Sequence, residues 1–256
     1  INYKKNPNNT SQRNLILFSN EKFDLKPLKK YMSNSDYKFI SDLIKTKKIK
    51  KKILIFDIDG VLLNSSHNMY LSWTKVQNKY SLENIAFKKY FKNIGKPFFN
   101  ILSSLGINKN KKEIYFTYMK ESIKQNNEVR FYSGITQSLK ELKKNKFILC
   151  IVTSKDSIRT KMFLKGYTKL FKLIMCQDLN TRGKPHPDKI IKIIKILKVK
   201  KEDCVYIGDT NIDYKTAKNS KIDFIHARWG YGNRYNYKYF ANKISDLKRI
   251  LILNKN

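Results

Sequence analysis

Five short apolar runs of strand length punctuate the chain from Lys52 onward. They are ILIF at 53–56, FILCIV at 147–152, KLIM at 172–175, VYI at 205–207 and FIHA at 224–227. Between them lie stretches whose apolar residues recur at helical spacing. SGITQSLKELKKNK sets Ile135, Leu139 and Leu142 on one face. HPDKIIKIIKILKV sets Ile190, Ile193, Ile194 and Leu197 on one face and its lysines on the other. That second pattern would suit a helix lying on a membrane surface, but packing on a sheet is the commoner cause of it. Apolar strands without hairpin turns, alternating with amphipathic helices, predict a parallel α/β sheet covered on both faces.

The rhythm breaks once. Residues 66–132 carry no strand pattern, only helical ones rich in aromatics such as Tyr70, Trp73, Tyr80, Tyr90 and Phe91. They predict a helical insertion between the first and second strands, with the aromatics as its packing rather than a platform for bases. Upstream, residues 1–13 are polar, NLILFSN at 14–20 suits a short strand, and NSDYKFISDLIKTKKIK at 34–50 reads as a helix with Asn and Ser cap candidates. The expected organisation is an N-terminal extension over 1–51, an α/β core formed by 52–65 and 133–256, and a helical cap over 66–132.

Composition adds bounds. A chain of 256 residues with 41% hydrophobic content fits one large domain or two small ones. Lys and Arg number 54 against 20 acids, a formal charge of +34. Such an excess can draw a protein to nucleic acid, an anionic membrane or anionic substrates. The lysines are spread along the chain, however, and accompany abundant Asn, Ile, Tyr and Phe, as A/T-rich codons would produce. Compositional drift is therefore the favoured reading of most of the charge. The densest run, KTKKIKKK at 45–52, reads as the solvated end of a helix. No apolar run approaches a membrane span, and the first residues lack the apolar core of a signal peptide. Cys150, Cys176 and Cys204 lie in or beside apolar runs and read as buried free thiols, as a reducing cytoplasm allows.

The chemistry gathers where strands end. Asp57 and Asp59 follow the first run, Thr153 and Ser154 the second, and Gly208 and Asp209 the VYI run, with Asp213 four residues on. Lys184 stands in the loop NTRGKPHPD before a helix. In open α/β sheets, sites form outside the carboxyl ends of the strands. Several carboxylates around one point repel each other and are costly to desolvate. A hard divalent cation with oxygen ligands, Mg²⁺ above all, offsets them. A metal beside an ammonium suits a phosphoryl group, and a carboxylate can then act as nucleophile.

In that order the strings DIDGVLLNS, VTSK, GKPHPD and GDTNID resemble the four motifs of the haloacid dehalogenase superfamily, in its branch with a helical cap and phosphoglycolate phosphatase-like members. The resemblance spans roughly residues 52–240, and HARWGYG at 226–232 also fits it. It implies a Rossmann-like core and a Mg²⁺-dependent phosphatase working through an aspartyl-phosphate. Asp57 would be the nucleophile and a metal ligand. Asp59 would be the general acid and then base, its carbonyl also touching the metal. Thr153 would hydrogen-bond the phosphoryl oxygens with help from the Ser154 backbone amide, and Lys184 would hold the phosphoryl charge and shield Asp57. Asp209 would ligate the metal and Asp213 would orient its shell. Val61 replaces a Thr common in the family. The presence of Asp59 argues against a dehalogenase, which has no leaving alkoxide to protonate.

Substrate choice would fall to the cap, where NIGKPFFNILSSLGI offers Gly95 for a tight approach and Lys96 to meet an anionic group. An ordinary loop lysine is the competing reading of Lys96. The expected partner is a small phosphorylated metabolite (phosphoglycolate, a sugar phosphate or a nucleotide), with no sequence-specific nucleic acid and no membrane. A phosphomutase shares the four motifs, but the Arg-Ser signature of that relative is missing from this stretch. A basic nucleic-acid binder on the same fold is the alternative from another class. A carboxylate cluster that repels phosphates speaks against it.

Overall fold

A computed structural model describes residues 51–178 and 181–252, together with 29, 33–35 and 37. The chain divides into two compact units, 1–47 and 48–256. The strand expected at 14–20, most of the helix expected at 34–50 and the run 45–50 lie outside the described residues.

The second unit is built on a six-stranded parallel sheet. Its strands are β1 (Ile53–Phe56), β4 (Ile148–Val152), β5 (Leu173–Met175), β6 (Cys204–Gly208), β7 (Asp223–Ala227) and β8 (Phe240–Ala241), in the order β5-β4-β1-β6-β7-β8. The first strand lies inside the sheet, so both its faces are covered and all four of its residues are buried. Side chains alternate across a strand. Leu54 and Phe56 therefore join Ile151 and Val205 in one cluster, while Ile53 and Ile55 join Cys150 and Tyr206 in the other. Helix α5 (Ile135–Lys144) packs Ile135, Leu139 and Leu142 into the first cluster. Helix α7 (Asp188–Leu197) packs Ile190 and Ile193 into the second. Each such side chain contributes about 1.5–3 kcal/mol by leaving water. One lysine departs from the expected polar face of α7. Lys189 is buried and donates to Gln177 Oε1 at 2.9 Å, because the first turn of the helix faces the loop after β5.

Helices α1 (Ser66–Tyr80), α2 (Phe87–Phe91), α3 (Phe98–Ser104) and α4 (Lys111–Lys124) follow β1 and enclose a hydrophobic cluster of their own. Trp73 and Tyr90 stack in it with ring centroids 4.6 Å apart, and Trp73 donates to the Ile85 carbonyl. These aromatics are packing, as expected, although Tyr70 is close to half exposed. The insertion is not strand-free. β2 (Leu63–Asn64) and β3 (Arg130–Phe131) pair antiparallel and bring the two ends of the helical segment together. Two further elements extend past the last expected strand: β8 and α9 (Asp246–Ile252). All three cysteines are free; burial pushes Cys150 and Cys204 up to about 11. Among the described residues, no helix is long and apolar enough to cross a membrane.

The strand order reverses at β1. The chain runs from β1 to β4 on one side and later returns to β6 on the other, which opens a crevice at their carboxyl ends.

Candidate active site

Three carboxylates meet in that crevice. Asp57 follows β1, Asp209 follows β6, and Asp213 sits in the first turn of α8 (Asn211–Ser220). One oxygen from each lies within 4.8 Å of the others, and all three residues are buried. The Lys184 ammonium stands 2.7 Å from Asp57 Oδ1 and 2.8 Å from Asp213 Oδ1. Asp213 is fully engaged. Its Oδ1 accepts from Lys184 and from the Tyr206 hydroxyl, and its Oδ2 accepts from the Thr210 amide and hydroxyl. The bond from the Thr210 amide and the reciprocal one from the Asp213 amide to Thr210 Oγ1 form a capping box that starts α8, so the helix itself places this carboxylate.

Asp209 differs. Its Oδ2 accepts from the Tyr231 amide at 2.7 Å, while Oδ1 is buried with no hydrogen-bond partner. Buried lone pairs without a donor are costly, and one oxygen of this carboxylate lies within 4.8 Å of the other two acids. Lys184 does not balance the cluster. Burial pushes the Asp57 carboxyl up to about 7 against the pull of Lys184, with Asp213 and Asp59 adding to the rise. Burial, then Asp213 and Asp57, hold Asp209 well above the usual carboxylate range. Burial alone would lower Lys184, but Asp213 and Asp57 together raise it, so it stays an ammonium. An all-oxygen set with surplus negative charge and one open buried oxygen fits a hard divalent cation. Close backbone keeps the site tight. Gly60 has φ +82, and a Cβ there would collide with the Asp209 carboxylate. His226, buried beneath, has Nε2 3.1 Å from the Asp209 carbonyl, and burial lowers its pKa.

The remaining expected residues line an adjoining cleft of about 50 Å³. Asp59 accepts from the Ser65 hydroxyl at 2.5 Å and pairs with Lys155 at 3.1 Å. Thr153 is buried, its hydroxyl accepting from the Lys155 amide. The Ser154 hydroxyl donates to the Gly95 carbonyl at 2.6 Å, tying the end of β4 to the inserted segment. Gly95 makes the tight approach foreseen for it: with φ +90, a Cβ would meet the Thr210 hydroxyl at 3.0 Å. Lys96 lines the cleft, but its ammonium goes to Asn93 Oδ1 at 2.8 Å and Ser104 Oγ at 3.0 Å within the insertion.

Several residues here escaped the sequence reading. Lys155 stands inside the VTSK string yet signalled nothing beyond one more lysine. Arg159 and the Tyr90–Tyr118 pair carry no motif. Tyr231, whose hydroxyl accepts from the Ser65 amide at 2.6 Å, lies in the HARWGYG string without a role of its own.

Comparison with known proteins agrees with this geometry. The family model described as haloacid dehalogenase-like hydrolase matches residues 54–227. A pyrophosphatase PpaX of Bacillus mycoides is 26% identical over 211 residues, covering 79% of this chain and 98% of the relative. A phosphoglycolate phosphatase of Aquifex aeolicus is 28% identical over 188 residues, covering 70% of this chain and 86% of the relative. Among solved structures, a haloacid dehalogenase-like family hydrolase of Streptococcus pneumoniae superposes with a TM-score of 0.68 at 22% identity, covering 78% of this chain and 97% of that one. With its sheet order, strand-end carboxylates and family match in agreement, the chain belongs to the haloacid dehalogenase-like hydrolases.

Proposed function

We propose that this hydrolase is a Mg²⁺-dependent phosphatase that cleaves a small phosphate monoester through a phosphorylated Asp57. The observation that carries the reading is the bridge from Lys184 to both Asp57 and Asp213, beside the open oxygen of Asp209. Asp57 and Asp209 would hold the cation directly, with Asp213, saturated by its four donors, positioning Lys184 and Thr210 behind them. A bound Mg²⁺ supplies charge that offsets the phosphoryl oxygens.

The side chains of this chain do the rest. An Asp57 carboxylate oxygen attacks phosphorus, and the bond from phosphorus to the leaving oxygen breaks. Asp59 gives that oxygen its proton, so the alcohol leaves neutral. Water then attacks the phosphorus of the aspartyl-phosphate, Asp59 takes the water's proton, and Asp57 returns to its carboxylate. Lys184 screens the approach of the anionic phosphoryl group to Asp57, and the Thr153 hydroxyl with the Ser154 backbone amide offers donors at the end of β4. The helices between Ser66 and Lys124 act as a cap over the cleft and exclude water during the transfer.

The test is hydrolysis of p-nitrophenyl phosphate by purified protein. Activity should require Mg²⁺, stop on chelation and vanish in Asp57→Asn. Turnover that survives both chelation and that substitution overturns the reading.

A further inference from the structure

The cleft beside the carboxylates contains a second, donor-rich end. Tyr90 comes from α2, Tyr118 from α4 and Arg159 from α6 (Ser157–Phe163), and all three line the cleft with Asp57 and Thr153. Both tyrosines are buried, at 3% and 2% exposure, and their hydroxyls stand 2.8 Å apart. The Tyr90 hydroxyl donates to the Tyr118 hydroxyl, so the Tyr118 proton has no acceptor within the pair. A buried donor left unused is costly. Arg159, itself 5% exposed, lies over the Tyr118 ring with its guanidinium carbon 5.2 Å from the centroid. Asp156 accepts from its Nε at 2.5 Å and from its backbone amide at 2.9 Å. Asp156 thus takes the Nε edge of a fork that carries five N–H donors and suits planar oxyanions.

We infer that Arg159 and the Tyr90–Tyr118 hydroxyl pair bind an anionic group on the leaving side of the substrate, a carboxylate or a second phosphate. The inference rests on the phosphatase reading above and names its substrate class. Of the other cations lining the cleft, Lys155 pairs with Asp59 and Lys96 donates to Asn93 and Ser104, while Asp156 engages Arg159 at its Nε edge. The whole cleft, about 50 Å³, has room on the order of a few waters, so the phosphoryl group and the anion beyond it must together be small. Two of the three donors belong to the inserted helices and one to the core. An oxyanion held by all three joins the insertion to the core at the moment the phosphoryl group reaches Asp57.

The experiment compares three probes in the holoenzyme with Mg²⁺: 2-phosphoglycolate, inorganic pyrophosphate and p-nitrophenyl phosphate. The parent should prefer one of the two anionic probes to the aryl ester. The variants are Tyr118→Phe and Arg159→Gln. Losing a hydrogen bond to a charged group should lower kcat/KM for the preferred anionic probe about tenfold or more relative to the aryl ester, mainly through KM. The anionic probe that suffers identifies carboxylate or phosphate as the group. Tyr118→Phe removes a single oxygen and keeps the test decisive if Arg159→Gln, which strips Asp156 of its partner, fails to fold. A change in that ratio below about threefold, or a parent that favours neither anionic probe, overturns the inference. A parent inactive on all three probes overturns the phosphatase reading itself.

Discussion

Lys184 Nζ lies 2.7 Å from Asp57 Oδ1 and 2.8 Å from Asp213 Oδ1, so one buried ammonium joins the end of β1 to the first turn of α8. The same group also lies 5.3 Å from the centroid of the Tyr206 ring. Its exposure is 2%, so solvent screens the bridge little.

Removing that cation should therefore be costly. Lys184→Met leaves Asp57 and Asp213 facing each other without their shared partner. Breaking a buried pair in this way costs about 3–5 kcal/mol. Urea unfolding of the metal-free variant should show a loss of that order, and added Mg²⁺ should restore part of it. A stability equal to the parent's would mean that the bridge carries no weight in the fold.

The pH dependence has a defined sign. Asp57 moves from an ordinary 3.8 up to about 7 in the folded protein, and Asp209 moves in the same direction. Folding therefore favours the protonated forms. Their contribution to stability is full below 3.8 and is lost as pH rises through about 7. The Tm of the metal-free protein should carry this fall. Because a metal displaces those protons, Mg²⁺ should raise Tm more at about pH 8 than at about pH 5. An equal Mg²⁺ effect at both values would contradict the assignment of the cluster as the cation site.

Asp59 sits outside the three-carboxylate cluster, held by Ser65 and Lys155. Asp59→Asn keeps the shape and removes a proton donor. Turnover of an alkyl phosphate should fall about 10²–10⁴-fold, while binding of a phosphate analogue with Mg²⁺ persists. Single-turnover kinetics with analogue titration separates the two. A turnover rate matching the parent's would exclude Asp59 as the acid.

Gly60→Ala tests the tightness of the site. The residue has φ +82, which costs an L-residue about 1–2 kcal/mol. The added carbon would also collide with the Asp209 carboxylate. Mg²⁺ affinity, read by calorimetry, should drop more than global stability does. Unchanged affinity would show that Asp209 is not held by this turn.

Much of this molecule was legible before folding was considered. The runs at 53–56, 147–152, 172–175, 205–207 and 224–227 coincide with β1 and β4–β7 to within a residue. A strand buried on both faces must be apolar throughout, and that is a local signal. The acids at strand ends were legible for the same reason, since a charge directly after such a run has few other places to go. Tertiary structure alone decided the rest. β2 and β3 are two residues each, too short for any period to show. β8 gains its place by pairing with β7. Lys155, Arg159 and Tyr231 are ordinary letters in the sequence. They matter because Lys155 meets Asp59, Arg159 lies over Tyr118, and the Tyr231 hydroxyl meets Ser65, 166 residues away. Periodicity reports which side of an element is buried. Which side chains share a cleft depends on contacts between residues far apart in the chain, and those exist only once the inserted helices and the core are packed together.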